Sequence, residues 1–190
     1  MKKVAVLLAN GFEEIEALTV VDVLRRAEVN CELVSIQEEF VTGSHNIVVK
    51  SDRLFGEDIK TYDMIVLPGG LPGAENLAKS TKVIDIIKEF NKNENKYIAA
   101  ICASPAMVLS VAEIEKDRYI TSYPGIEYEE MLEKSNYVDE LVVIDKNLIT
   151  SRGPATTLLF AYKLVDVLGG NSIQLKKGML WDMIEEEGKD

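Results

Sequence analysis

The feature that most constrains this chain is an alternation. Short, wholly apolar runs, several closed by glycine or cysteine, take turns with segments of helical spacing. "KKVAVLLA" (Lys2 to Ala9), "CELVSI" (Cys31 to Ile36), "YDMIVLPGG" and "KYIAAI" read as strands. Between them, "EEIEALTVVDVLRRAE" sets Ile15, Leu18, Val21 and Leu24 at helical spacing. "STKVIDIIKEFNKN" predicts a helix capped by Ser80, and "SPAMVLSVAEI" one with Pro105 in its first turn, where proline is tolerated. "PATTLLFAYKLVDVLGG" predicts a helix ended by Gly169 and Gly170. "HNIVVKSDRLFGED" reads as a smaller β excursion, and "ELVVIDKNLITS" as two strands around a turn at Asp145-Lys146-Asn147. The tail, "IQLKKGMLWDMIEEEGKD", predicts a short helix that frays. Such alternation specifies an α/β layered domain with a mostly parallel sheet. A single domain is expected over residues 1–190, with no repeat or linker.

In sheets of this kind, sites lie beyond the carboxyl ends of the strands. Three loops fall there: "LANGFEE", "LPGGLPGAENL" and "AICASPA". Composition narrows what they can do. A net charge of −11 with no basic stripe repels phosphate backbones, so general nucleic-acid binding is not expected. No apolar run is long enough to span a membrane, and the N-terminal "MKKVAVLLANGFEE" reads as a strand rather than a secretory signal. Two cysteines, Cys31 and Cys102, make no disulfide scaffold, and a reducing cytoplasm is the simplest setting. With two cysteines far apart and one histidine, no metal-ligand cluster is expected, and no cofactor either. "LPGGLPGAENL" spells neither a P-loop nor G-x-G-x-x-G.

Cys102 stands where an apolar strand breaks into "ASPA". One reading is a small buried hydrophobe. The other is a nucleophile on a sharp strand-to-helix turn, with the amides and dipole of the next helix lowering its pKa. Both stay open at this level. Cys31, within an alternating strand, reads as a core filler. Acids at a helix start complement its dipole, which accounts for Glu13 and Glu14. Glu16 mixes surface and core neighbours; turned toward the cleft, burial would keep it protonated and able to donate to a thiolate. Gly69 and Gly70 allow close backbone approach, and their amides could hold an oxyanion. Arg152, in "TSRGPATT", could pair with an acid or bind an anion. His45, in "TGSHNIVV", reads as a solvated loop side chain.

Taken together, "LANGFEEIEALTVVDVLRRA", "DMIVLPGGLPGAENL", "AAICASPAMVL" and "LITSRGPATTLLFAYKLV" resemble the ThiJ/PfpI superfamily, in the branch of the Parkinson's-associated protein deglycase. The resemblance runs from about Lys2 to Leu168. It implies a flavodoxin-like three-layer sandwich and a homodimer. It further implies that Cys102 is an oxidation-prone nucleophile, Glu16 its protonated partner, and Gly70 and Ala103 the oxyanion donors. Two departures stand out. Tyr123 occupies the place where this branch often has a histidine, and tyrosine, with a pKa of about 10, is a poor neutral-pH base. His45 takes the place of an arginine that reaches the site from the partner subunit, so it could approach the thiol across a dimer interface. The implied activity is a cofactor-free cysteine enzyme of glyoxalase or deglycase type acting on small 2-oxoaldehydes or their adducts. The alternatives are a redox-responsive stress protein or chaperone without turnover, and an intracellular peptidase or amidase.

Overall fold

A computed structural model describes residues 1–187. Its first strand, β1 (Lys3–Leu8), is followed by α1 (Glu14–Arg26) and β2 (Asn30–Ser35). A hairpin of β3 (Phe40–Thr42) and β4 (Val48–Lys50) precedes β5 (Arg53–Leu54) and β6 (Met64–Leu67). Then come α2 (Gly73–Lys79), α3 (Thr81–Asn91), β7 (Tyr97–Ile101) and a five-residue π-turn, Pro105–Leu109, that runs into α4 (Ser110–Ala112). A second excursion holds β8 (Tyr119–Ile120), α5 (Ile126–Met131) and β9 (Asn136–Tyr137). β10 (Val142–Asp145), β11 (Leu148–Ser151), α6 (Thr157–Val167), α7 (Ser172–Gly178) and α8 (Trp181–Glu187) complete it. The fraying expected at the very end of the tail falls on residues 188–190, outside the described residues.

The main sheet has seven strands in the order β10-β11-β7-β6-β1-β2-β5, and every pair is parallel except β10 with β11. The strands are apolar on both faces because each face is covered. One apolar layer, including Leu7, Ile65, Ile87, Phe90 and Leu109, packs on α2, α3 and the π-turn. The other, including Val6, Val66, Ala99, Val20 and Phe160, packs on α1 and α6. The architecture is the α/β sandwich the alternation requires. β1 lies between β2 and β6, so chain progression reverses direction between β1 and β6. That reversal opens a crevice at the carboxyl ends of β1, β6 and β7, where the three loops meet.

Four local readings change. The expected stripe of α1 included Ile15, which is 54% exposed. The buried face is instead Ala17, Val20, Val21 and Leu24 with Glu16, because the loop before the helix turns it partway about its axis. Ser80 sits at the start of α3, but its side chain makes no capping bond; its carbonyl accepts from the Val83 and Ile84 amides. The segment after Cys102 is no regular helix. It is a π-turn and a three-residue helix closed by Glu113 in the left-handed region, at φ 56°. The tail holds two helices rather than one.

Candidate functional site

Cys102 is the residue directly after β7, and its φ is +64°. A non-glycine residue in that region carries strain and needs its surroundings to hold it there. Here the Cys102 amide donates to the Ser151 carbonyl of β11 at 3.0 Å. Its own carbonyl accepts from the Tyr123 amide at 2.8 Å. The next residue but one, Ser104, donates its hydroxyl to the Pro68 carbonyl at 2.6 Å, tying the elbow to the loop after β6. The chain thus turns sharply at the sulfur and leaves the half-buried side chain reachable from the crevice.

The loop after β6 completes the floor. Gly70 has φ +84°, and a Cβ there would come 2.4 Å from the Glu13 nitrogen, so only glycine fits. At Gly69 a Cβ would lie 2.6 Å from Cys102 Cβ and 2.8 Å from Glu16 Oε2. The missing side chain is what lets carboxyl and thiol approach each other. The Gly70 and Ala103 amides favour the anionic form of the Cys102 sulfur.

Glu16 is fully buried. Its Oε2 accepts from the Gly69 amide at 2.7 Å, and Oε1 has no partner of full hydrogen-bond geometry. The Cys102 thiol is the polar side chain that interacts with this carboxyl. Burial raises the Glu16 pKa to about 7, against the lowering effect of the Gly69 amide and the Cys102 contact. Burial first, and the Glu16 charge second, push the Cys102 thiol up to about 12; the two amides only partly oppose this. The expectation of a sulfur held below the ordinary thiol range by amides and helix dipole is therefore not met while Glu16 is ionised. The short π-turn supplies little dipole, and the sulfur is desolvated. What exists instead is a pair of interacting acids that holds one proton between about pH 7 and pH 12. That proton sits either on sulfur, facing a carboxylate, or on the carboxyl, facing a thiolate cradled by two amides.

The neighbouring acids have separate tasks. Glu13 caps α1, its Oε2 accepting from the Glu16 amide at 2.8 Å, which fixes the residue that carries the buried carboxyl. Glu14 reaches across to the turn between β3 and β4. It accepts from the His45 amide at 2.7 Å and pairs with His45 Nδ1 at 2.9 Å. Burial works against Glu14 ionisation, but the His45 ring and backbone bonds outweigh it, so its pKa is lowered. That of His45 is raised, first by the same bond. Dipole complementarity alone does not describe Glu14. His45, read as a solvated loop side chain, is exposed yet held, and within this chain it serves Glu14 rather than the thiol. Arg152 pairs with Asp139. A metal-ligand grouping was not expected, yet ligand atoms of Glu13, Glu14 and His45 lie within 4.8 Å of one another. The carboxylates there are already engaged by the helix cap and the hairpin turn.

Tyr123 flanks the elbow, and its ring meets that of Tyr128 edge to face with centroids 6.1 Å apart. The Tyr128 phenol is raised by burial and next by the Cys102 charge. Sequence reasoning missed Tyr128. Its one signal is the Pro124-Gly125 break, which starts α5 and folds it back toward the elbow. A cleft of about 590 Å³ lies elsewhere, lined by residues that include Arg26, Gln174 and Met179. It sits at the far end of α1, away from Cys102, and it gathers no comparable set of groups.

With this geometry in place, the family match is decisive: residues 2–167 fit the model of the DJ-1/PfpI family. The chain belongs to that family. A DJ-1 superfamily protein from Salmonella typhimurium, solved as a cysteine-to-alanine mutant, superposes with a TM-score of 0.88. It is 34% identical, over 95% of this chain and 98% of that one. Protein DJ-1 homolog B of Arabidopsis thaliana is 38% identical over 94% of this chain but only 41% of its own length. The chain spans less than half of each of the two plant relatives it matches. The glutathione-independent glyoxalase DJ-1 of Schizosaccharomyces pombe is 33% identical over 87% of this chain and 91% of that protein. In DJ-1/PfpI terms, this member has a tyrosine pair beside the thiol and its lone histidine on Glu14. No helix among the described residues is long and apolar enough to cross a membrane.

Proposed function

We propose that this DJ-1/PfpI chain is a cofactor-independent cysteine enzyme of glyoxalase or deglycase type, acting on small 2-oxoaldehydes or their adducts with amines. The observation that carries this reading is the fully buried Glu16 carboxyl brought, across the missing side chain of Gly69, against Cys102 at its left-handed elbow. A relative of this chain is named as a glutathione-independent glyoxalase, which agrees with a reaction that needs no added thiol.

The Cys102 sulfur adds to the aldehyde carbon while its proton passes to Glu16. The new oxyanion would lie where the Gly70 and Ala103 amides can donate to it, and it takes from Glu16 the proton the thiol gave up, becoming the hemithioacetal hydroxyl and restoring the carboxylate. The Glu16 carboxylate then removes the C1 hydrogen as a proton and returns it to C2, while the C1 hydroxyl proton passes to the C2 oxygen. C1 is thereby oxidised to a thioester and C2 reduced to an alcohol, with no external electron acceptor. Water cleaves the thioester, releasing the 2-hydroxy acid and regenerating the thiol. Lactate formation from methylglyoxal tests this; turnover by Cys102→Ser equal to that of wild type would end it. The family resemblance also implies a homodimer, and light scattering that gives the mass of one chain would refute that part.

A second reading draws on the same amides. They would equally hold the oxygens of an oxidised sulfur, so Cys102 would report peroxide: thiolate takes one oxygen from hydrogen peroxide, giving sulfenate and water. Stable oxidation of Cys102 by mass measurement, with no lactate formed, would favour it.

A further inference from the structure

Two aromatic rings beside the elbow take no part in the proton pair. Tyr123 lies three residues past β8, hydrogen-bonded through its amide to Cys102 and 44% exposed. Its ring lies along the backbone after β11: a Cβ on Gly153 would come 3.4 Å from its Cδ2. Tyr128, on α5, meets that ring at an interplanar angle of 78°. α5 packs on the π-turn that starts three residues after Cys102, so the elbow and the ring pair share one support. Tyr128 is half-buried, and its hydroxyl has no hydrogen bond among the described residues. Leu71, next to Gly70, adds a 49% exposed apolar side chain at the same loop cluster. The cations carried by the adjoining loops are already used, His45 on Glu14 and Arg152 on Asp139. An anionic substituent would therefore meet buried acids and no free partner among these residues. An apolar or aromatic one would meet rings.

We propose that Tyr123 and Tyr128 form the substituent pocket of the Cys102 site and select uncharged carbonyl compounds bearing an aryl or bulky apolar group. This rests on Cys102 being the nucleophile. Arylglyoxals are then preferred over methylglyoxal, and carboxylate-bearing glyoxylate is disfavoured. Edge-to-face ring contacts are worth roughly 3- to 10-fold in rate or affinity.

The test uses alkylation, so it does not depend on turnover. Rates for iodoacetamide and its N-phenyl analogue are measured at Cys102, identified by peptide mass, and each is divided by the rate with N-acetylcysteine. Comparing the two quotients cancels the ionisation of the thiol. Wild type is expected to favour the aryl reagent by about 3- to 10-fold. Tyr123→Ala and Tyr128→Ala should lose that preference, and Tyr128→Phe, which keeps the ring, should retain it. Tyr123 is exposed, so its variant carries the test alone if Tyr128→Ala does not fold. Absence of aryl preference in wild type, or its survival in the alanine variants, overturns the pocket. Silence of Cys102 toward both reagents overturns the nucleophile itself, and the pocket with it. The turnover ratio of phenylglyoxal to methylglyoxal should fall in the same variants.

Discussion

Cys31 and Cys102 are the chain's two thiols, and both are pushed up to about 12, yet they are chemically unlike. Cys31 lies inside β2, paired in register with Val4 and 2% exposed. Burial is its main cause, and only the Arg25 charge lowers it. Cys102 is half-buried at a left-handed elbow, with two amides on its sulfur and a buried carboxyl beside it. For Cys31 the Asp52 and Glu32 charges add to the rise, but neither carboxylate is bonded to its sulfur, so no base in contact can take the proton. For Cys102 part of the increase comes from Glu16, which is itself near 7 and can accept what the sulfur gives up. A raised thiol pKa therefore does not separate an inert cysteine from a primed one. What separates them is whether a base that raises it is in contact with the sulfur.

The sharpest way to break this contrast is substitution of each thiol. Cys102→Ser should reduce lactate formation to the uncatalysed level, whereas folded Cys31→Ser should turn over as wild type. Next in size is Glu16→Gln, expected to lower turnover about 10²- to 10⁴-fold through loss of the proton carrier. With the carboxylate gone, the Cys102 pKa should move down from about 12, and the pH dependence of its alkylation should shift to lower pH. A Glu16→Gln variant with wild-type turnover would reduce Cys102 to the status of Cys31.

Stability sharpens the same point. The folded-state pKa of Glu16 is raised from 4.5 to about 7, so its contribution is greatest below pH 4.5 and is lost as pH rises through 7. The loss is on the order of 3 kcal/mol, at 1.36 kcal/mol per unit. Urea denaturation at pH 5 and pH 8 should show it in wild type and not in Glu16→Gln. Cys31 can impose a similar loss only above pH 9, its ordinary thiol value. Gly69→Ala comes next: its Cβ would strike Cys102 Cβ at 2.6 Å, an overpacking cost of about 1–3 kcal/mol, measurable as a lower urea midpoint. Its alkylation rate at Cys102 should change while Cys31 stays silent. The smallest effect is expected from His45→Ala. The His45 pKa is raised by Glu14, so any stability it adds is present at low pH and lost as pH climbs; turnover at pH 8 should barely move.

The sheet was legible because its strands are too short and too uniformly apolar to be anything else, and each closes on a residue that marks a loop. The approach of Glu16, Gly70, Ala103 and Cys102 followed from that order, since three consecutive crevice strands deliver three loops to one place. The proton balance was not legible, because desolvation of the sulfur depends on packing from α1, the loop after β6 and the excursion around α5 at once. The Glu14–His45 link spans 31 residues and Tyr128 sits on a six-residue helix, so neither leaves a periodic mark. Ile15 was misplaced for a related reason. Spacing gives the period of a helix, whereas its rotation is set by the turn that precedes it.

The backbone of Cys102 is pinned by a carbonyl from β11, a strand that begins only at Leu148. A nascent chain that has produced the thiol and its glutamate still lacks the clamp that forces the bend. The bend at the sulfur therefore waits for some fifty further residues to be synthesised and docked. Fragments ending before that strand would lack the carbonyl that holds Cys102 in its left-handed conformation.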